Sequence, residues 1–422
     1  GLLLAAGDLI GSWGAVTAAL LVGCSPSFLY YGRFAIHETW LVLFSLVLFV
    51  ALARFDRRLR GGDLALAAVA GALGLATKET FVLTLATLAG GYVAAEWSLR
   101  VLRRQRPAPA LAGALRHTAR RYLAGRRWLP LALPPAVVVW LALFTSFLAN
   151  PVGALDAVAT YLPWGREAMA SGHVKPGGYY LEAILLPYEL PISLLFVGGL
   201  AAAVAARERV PLWAGGWALL SLAAYSLIPY KTPWLVLNPL LPMALVAGYG
   251  VQYSVERLRA SGRLRPERVW ALGLAAALVA LTAPSAALAV RLSFAEYDRE
   301  AHPMVYMHTY RDLSELESRL EAVAERLGSR AFPLVVIAPE PWPLPFTLRR
   351  YPGAAFLGGA GPGAPAAPVV IADRRQREML QPLEARGYAR TTHRLRPGVD
   401  LELYLAPELA APAPPGGQPH PG

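Results

Sequence analysis

Charged residues are scarce in this 422-residue chain. Asp, Glu, Lys and Arg make up 16% of the residues, hydrophobic residues make up 55%, and the mean hydropathy is +0.41. In soluble domains about a quarter of all residues are charged. The composition of this chain therefore excludes an ordinary soluble enzyme. The apolar residues form runs of about 17–22 residues, the length at which a helix crosses a bilayer. Because Gly and Pro lie among these runs, a disordered or collagen-like chain is excluded as well.

Cysteine and lysine are nearly absent. The single cysteine, Cys24, lies in an apolar run, so there is no disulfide framework. Only three of the 40 basic residues are lysines, namely Lys78, Lys175 and Lys231. The arginines are grouped in short segments between apolar runs, as in the cytoplasmic loops of membrane proteins. A nucleic-acid-binding protein would instead carry a basic face on a soluble domain, so nucleic acid is excluded as a partner.

The apolar runs predict a polytopic α-helical membrane protein, with residues 1–290 as a transmembrane domain of about nine helices. The predicted helices cover residues 9–25, 39–54, 64–77, 80–97, 129–148, 188–206, 211–229, 234–253 and 269–290. The loops between the predicted helices form two alternating sets. One set contains twenty arginines and the other contains five basic residues. This bias predicts that the arginine-rich loops are cytoplasmic. The first helix lacks a start methionine and the features of a signal peptide, so we expect a further span upstream of Gly1.

Residues 291–409 are predicted to form a small extracytoplasmic α/β domain, followed by a disordered Pro/Gly-rich tail at 410–422. Helical periodicity marks 309–328 and 374–387, and the runs PLVVIA (333–338) and APVVIA (367–372) are typical of buried parallel strands. The segments YARTTHRL and DLELYLA alternate as edge strands do. The domain has no Gly-rich phosphate loop and no nucleophile elbow. The protein is thus predicted to be integral to the cell (plasma or inner) membrane, with its C-terminal domain outside.

Three polar groups lie at the predicted outer ends of the helices. In the first, SPSFLYYGRFAIHE (25–38), Arg33 offers a fork of donors that suits a phosphate, and His37 or Glu38 could orient it or accept a proton. The alternative is an aromatic belt with a capping glutamate and a snorkelling arginine. In the second, Lys78 and Glu79 lie between two apolar helices, where function is the default hypothesis for ionisable groups. The alternative there is a self-compensating ion pair.

The third group is Pro229–Trp234. Here Lys231 would meet a lipid phosphate while the rings of Tyr230 and Trp234 flank the acyl chain; an ordinary interfacial anchor is the alternative. The predicted outer loop 149–187 adds aromatic residues that suit either sugar stacking or a helix on the bilayer surface, among them Trp164, Tyr179 and Tyr180. No His/Cys/Asp cluster has metal-ligand spacing, so no cofactor is predicted, although a divalent metal stays an open alternative.

Several of these motifs together resemble one family. They are SPSFLYYGRF followed by an acidic residue, LGLATKE, YKTPWLVLNPLLPMALVAG, HPMVYMHTYRDL and PEPWPLPFTLRRY. The chain resembles the multispanning flippase-associated proteins of archaeal-type N-glycosylation, which are related to the protein O-mannosyltransferases and the lipid A aminoarabinose transferases of the GT-C superfamily. The family pattern has Arg-Asn-Asp where this chain has Ile36-His37-Glu38. The resemblance also implies that the main acidic motif lies upstream of Gly1, so that the chain is N-terminally truncated.

The resemblance and the three polar groups together predict a GT-C-like membrane glycosyltransferase that uses a polyprenyl-phosphate-linked sugar. The predicted phosphate-binding residues are Arg33, Lys78, Lys231 and Tyr230, supported by Glu79 and Trp234, and the catalytic candidates are Glu38 and His37. The expected partners are the lipid-linked sugar, membrane lipid and proteins of a glycosylation pathway. The alternative is a flippase-associated or scaffold component without its own catalysis.

Overall fold

Apolar helices make up the first part of the structure. The protein is described by a computed structural model that covers residues 5–163, 174–262, 267–359 and 367–410. The chain forms two units that meet between Tyr297 and Asp298, a few residues after the predicted boundary. The predicted tail lies outside the described residues from 411 onward. The main helices of the first unit are α1 (Ser12–Gly23), α2 (Pro26–Gly32), α3 (His37–Arg58), α4 (Gly61–Thr77), α5 (Phe81–Leu102), α6 (Pro107–Gly125), α7 (Leu129–Phe144), α8 (Tyr180–Tyr188), α9 (Leu190–Ala206), α10 (Arg209–Leu227), α11 (Leu237–Ala260) and α12 (Glu267–Val290).

Among the described residues, six helical segments are long and apolar enough to cross a membrane, judged by length and composition. They are α3, α5, the continuous α6–α7 segment, α10, α11 with its preceding turn, and α12 with its following turn. The number rises to eight if each of two bent pairs is one span, because α1 and α2 meet at 61° and α8 and α9 at 99°. The helix α4 is shorter. Each of the nine predicted stretches overlaps one of these elements, and the predicted class, a polytopic helical membrane protein, is confirmed.

The outward faces of α7 and α12 are apolar. Val138 on α7 is 64% exposed and Leu272 on α12 is 71% exposed. Leaving a large aliphatic side chain in water costs about 1.5–3 kcal/mol relative to burying it. These faces therefore suit contact with lipid, which accepts apolar side chains.

Charges and small residues explain how the helices begin, end and pack. The helix α3 has Glu38 in its first turn and Arg57 and Arg58 in its last turn, which complements the helix dipole at both ends. The helices α5 and α10 meet at Gly91 and Gly216. A Cβ on Gly91 would lie 2.6 Å from the backbone nitrogen of Trp217, so only glycine allows the two backbones to approach this closely.

The second unit is a three-layer α/β structure. Its strands are β1 (Leu334–Ile337), β2 (Ala354–Leu357), β3 (Val369–Asp373), β4 (Ala389–Arg396) and β5 (Val399–Leu405), in the order β2-β1-β3-β5-β4. The strand β1 pairs in parallel with β2 and β3, whereas β5 pairs antiparallel with β3 and β4. The helix α13 (Asp312–Leu327) packs on one face of the sheet and α14 (Arg377–Ala385) on the other.

The sheet differs from the sequence prediction in two respects. The segment DLELYLA was predicted to be an edge strand, but β5 lies between β3 and β4 and is almost wholly buried. Its alternation of apolar and polar residues misled the prediction because Glu402 is itself buried and satisfied by Arg390 and Tyr404. The true second edge, β2, was missed because its four residues, AAFL, are too short for a pattern.

Candidate functional site

Glu38 and Lys78 form an ion pair that joins two of the three polar groups. Glu38 lies in the first turn of α3, and its side chain is only 2% exposed. Lys78 directly follows α4, and its ammonium donates to Oε1 of Glu38. A buried carboxylate needs such a partner, since an unpaired buried charge is very costly. The alternative offered by the sequence was an ion pair between Lys78 and Glu79. In the structure Lys78 instead pairs with Glu38, which lies 40 residues earlier in the chain.

Lys78 also lines a cavity of about 170 Å³. The cavity lies between the start of α5, the end of α10 and the turn that precedes α11. Its lining residues are Lys78, Glu79, Thr80, Leu83, Tyr225, Ile228, Tyr230, Thr232, Trp234 and Leu235. The buried hydroxyls of Thr80 and Tyr225 lie beside each other in its wall without a well-formed hydrogen bond to the described residues. The cavity thus offers one cation, one carboxylate and several hydroxyls within an otherwise apolar wall.

The segment 228–236 supplies the aromatic side of this cavity. Tyr230 forms an antiparallel bridge with Val174, and the Thr232 carbonyl accepts a hydrogen bond from the Tyr180 hydroxyl at 3.0 Å. Trp234 packs edge-on against Tyr31, with ring centroids 6.3 Å apart. Tyr230 and Trp234 both line the cavity. Tyr31 and Tyr180 add two rings that connect this segment to α2 and α8.

Lys231 lies behind the cavity wall and not in it. Its side chain is 2% exposed, and its Nζ donates to the carbonyl of Ile228 at 2.6 Å. Ile228 is itself one of the lining residues. Burial lowers the pKa of the Lys231 ammonium below the usual 10.5. The sequence prediction of direct contact between this ammonium and a ligand does not match the arrangement seen here.

Arg33 and His37 lie outside the cavity lining. The Arg33 guanidinium stacks over the Phe294 ring at 4.2 Å from its centroid and is exposed, as is His37. The Tyr30 hydroxyl donates to the Tyr297 carbonyl at 2.9 Å and ties this segment to the end of the first unit. The structure therefore brings together Glu38, Lys78, Glu79, Tyr230 and Trp234, but not Arg33 and His37.

Glu189 is a buried residue that the sequence reasoning missed. It lies at the sharp bend between α8 and α9, where its Oε1 accepts from the Ser25 hydroxyl at 2.7 Å and from the Ser27 backbone nitrogen at 2.8 Å. This carboxylate satisfies the free N–H of Ser27 at the start of α2 and matches the positive end of the helix dipole. A single acidic residue in the apolar run LLPYELPIS was the signal that could have found it.

Two further predictions concern the loop 149–187 and metals. Trp164 lies outside the described residues, whereas Tyr179 and Tyr180 pack edge-on with centroids 5.3 Å apart. Tyr180 is fully buried, so it supports the site and does not offer a free stacking face. Within the described residues, no group of three His, Cys, Asp or Glu side chains comes together as metal ligands would.

Comparison with known proteins places this geometry in a wider context. The profile of a family described as Dolichyl-phosphate-mannose-protein mannosyltransferase matches residues 1–119, which include Glu38 and Lys78. Two crystal structures of ArnT from Cupriavidus metallidurans align with 98% of this chain and 82% of theirs, at 16% identity. The TM-score is 0.61 for the structure bound to undecaprenyl phosphate and 0.56 for the apo structure. The chain has a GT-C-like fold. No curated protein matches its sequence. The predicted GT-C resemblance is thereby confirmed at the level of the fold.

Proposed function

We propose that this GT-C-like protein transfers a sugar from a polyprenyl-phosphate donor to an acceptor on the outer face of the membrane. The observation that carries the proposal is the position of Lys78. Lys78 lines the cavity together with Tyr230 and Trp234, and its ammonium is held by the buried carboxylate of Glu38. A fixed cation beside aromatic rings suits a phosphate joined to a long apolar chain.

The comparisons support this donor class. The family description contains dolichyl phosphate, and one ArnT structure contains undecaprenyl phosphate. Both are polyprenyl phosphates, so the shared chemistry is a phosphate on an isoprenoid chain. For the acceptor we propose a protein side chain, in keeping with the family description and with the resemblance to flippase-associated proteins of N-glycosylation. Because the sugar arrives on a lipid, the reaction needs no nucleotide-binding site. This agrees with the lack of a Gly-rich phosphate loop in the sequence of the C-terminal unit.

In the proposed reaction an acceptor nucleophile attacks the anomeric carbon of the sugar. The bond between that carbon and the phosphate oxygen breaks, and the oxygen leaves with the electron pair as polyprenyl phosphate. Lys78 stabilises the charge that grows on this oxygen. Glu38 is paired already, so we assign it to positioning Lys78 and not to proton transfer. The acceptor proton passes to a carboxylate, and Glu79 is the described acid that lines the cavity.

The proposal is tested with purified protein in liposomes. Polyprenyl-phosphate mannose and polyprenyl-phosphate aminoarabinose serve as lipid donors, and the matching sugar nucleotides serve as controls. We expect transfer and release of polyprenyl phosphate from a lipid donor, and no transfer from a nucleotide. Binding of both lipid donors without any turnover would contradict the proposal and favour the flippase-associated or scaffold alternative.

Substitutions of Lys231 distinguish an electrostatic role in the proposed reaction from that of an interfacial anchor. A cation in contact with the leaving group contributes about 2–4 kcal/mol. Because Lys231 lies behind the wall, we expect Lys231→Ala to lower turnover less, by roughly tenfold. Since arginine stays charged at all working pH values, Lys231→Arg should move the alkaline limb of the pH–activity profile upward.

The exposed Lys175 is the matched control for this experiment. Lys175→Ala should change turnover by less than about twofold, because its exposed side chain does not line the cavity and exposed charges are screened by water and salt. If Lys231→Arg leaves the alkaline limb where it is in the parent, then the Lys231 charge does not act on the donor.

We further propose that the unit from Asp298 onward faces the outside of the cell. This follows from the arginine bias and from the ninth helix ending at that side. In a Cys24→Ser background, single Ser329→Cys and Ser261→Cys variants should react oppositely with a membrane-impermeant thiol reagent in intact cells. Both serines are exposed and lie just after the C-terminal end of a helix. Labelling at position 261 but not at position 329 would show that the true topology is the reverse of the proposed one.

A further inference from the structure

A second, larger cavity lies in the first unit, away from the candidate site. It is an apolar groove of about 610 Å³ between α1, α9, α11 and α12. The lining residues that bear on the ligand are Gly198, Arg259, Trp270, Gly273 and Leu281. The volume lies within the range of small-molecule sites, about 300–1,000 Å³. Its walls are almost entirely hydrocarbon, so the groove suits an apolar ligand.

The groove has one polar end, and this end is opposite to the candidate site. The helix α11 begins next to Leu235, which lines the site cavity, and runs 24 residues to its end at Ala260. Arg259 lies in the last turn of this helix. At 1.5 Å per residue, α11 separates its two ends by about 35 Å. The polar end of the groove and the site cavity therefore lie at opposite ends of α11.

The length of the groove points to a particular chain length. Its lining on α12 runs from Trp270 to Leu281, which corresponds to about 16 Å along the helix axis. The hydrocarbon core of a bilayer is about 30 Å thick, so the groove is as deep as one leaflet. An acyl chain of a glycerophospholipid matches this depth. A polyprenyl chain that begins at the site on the opposite end would have to cross the whole core to reach it.

The polar end of the groove suits an anionic lipid head group. Arg259 is exposed and forms no ion pair with any residue that the structure describes. Trp270 is 48% exposed at the same end, in the position of an interfacial aromatic residue. Arginine presents a planar fork of donors that matches phosphate oxygens. The combination of a leaflet-deep apolar groove and a free arginine at its mouth therefore favours an anionic phospholipid over an uncharged apolar molecule.

We infer that the groove is a binding site for one anionic glycerophospholipid, with an acyl chain between α9, α11 and α12 and the phosphate on Arg259. The site is separate from the proposed sugar transfer and does not depend on it. A lipid held there fills space that α12 leaves beside α9 and α11. It would fix the position of α12 in the bundle.

Two glycines allow the groove to be filled by mutation. A Cβ built on Gly198 or on Gly273 meets no atom within 4 Å, so a larger side chain can enter the groove without a clash. Gly71 on α4 has the same open surroundings but does not line the groove. Gly71→Phe is therefore the matched control for Gly198→Phe and Gly273→Phe. For the charge, the exposed Arg116 on α6 is the matched control for Arg259.

The experiment is native mass spectrometry of purified, delipidated full-length chain titrated with palmitoyl-oleoyl phosphatidylglycerol. We expect one lipid to bind more tightly than all others. Arg259→Gln should weaken this binding about tenfold or more, because a charged hydrogen bond is lost, and Gly273→Phe should abolish it. Gly71→Phe and Arg116→Gln should bind as the parent does. Size-exclusion chromatography identifies folded variants, and Gly198→Phe replaces Gly273→Phe if the latter aggregates.

Three results would overturn the inference. The first is parent-like binding in Arg259→Gln and in both groove-filling variants. The second is equal affinity for palmitoyl-oleoyl phosphatidylcholine, which would show that the charge is not recognised. The third is displacement of the bound lipid by an equimolar amount of polyprenyl phosphate, in the parent and in Gly71→Phe alike, which would assign the groove to the donor chain.

Discussion

Replacing Lys78 by alanine is expected to lower the rate of sugar transfer by roughly a hundredfold or more. The phosphate that leaves gains negative charge in the transition state, and Lys78 is the described cation that lines the cavity. Since this charge grows during the reaction, the effect should appear in kcat as well as in kcat/KM. Turnover per folded molecule is measured in liposomes with a defined polyprenyl-phosphate sugar.

The same substitution leaves Glu38 buried without its partner, which by itself destabilises the fold. The double variant Lys78→Ala/Glu38→Ala removes both charges, so it should recover much of the lost thermal stability. It should not recover turnover. Lys175→Ala, which changes a lysine outside the cavity, should turn over within about twofold of the parent. Parent-like turnover in the double variant would show that Lys78 does not act on the donor.

The location of the site was predictable because ionisable residues are so few. In a chain where apolar runs dominate, any lysine or glutamate at a helix end is conspicuous. Lys78 and Glu79 were selected on this ground and Tyr230 as an aromatic neighbour of Lys231, and the structure places all three around one cavity. The helices were predictable for the same reason, because a run of apolar residues long enough to span a bilayer has few other stable conformations.

The partners of these residues were not predictable. Sequence proximity favoured a pair between Lys78 and Glu79, but adjacent residues point in different directions, and the buried Glu38 lies closer in space. The side chain of Lys231 turns inward to the Ile228 carbonyl because the short segment between α10 and α11 leaves that carbonyl without a helical partner. Such choices depend on how helices pack against each other, and a single sequence does not contain that information.

The end of the helical unit opposite to the candidate site is held by a network of buried charges. Asp56 on α3 accepts hydrogen bonds from the Tyr92 hydroxyl at 2.8 Å, from Arg121 Nε at 3.1 Å and from an Arg209 nitrogen at 3.0 Å. Arg209 also pairs with Glu96 at 2.5 Å. One carboxylate thus connects α3 with α5, α6 and α10. The sequence predicted only that this end is rich in arginine, not that a buried acid binds two of these arginines.

Asp56→Ala should therefore destabilise the protein by about 3 kcal/mol, because it leaves the half-buried Arg209 and Arg121 without a shared counter-ion. We expect the apparent melting temperature to fall by roughly 6 °C or more. Asp63→Ala is the control, since Asp63 lies in the first turn of α4 at the same end and forms no ion pair among the described residues. It should cost less than about 1 kcal/mol. Below the melting transition, turnover per folded Asp56→Ala molecule should stay within about twofold of the parent, because the network lies a helix length away from Lys78. An unchanged melting temperature combined with lost turnover would mean that the chemistry takes place at the arginine-rich end, and the assignment of the Lys78 cavity would then be wrong.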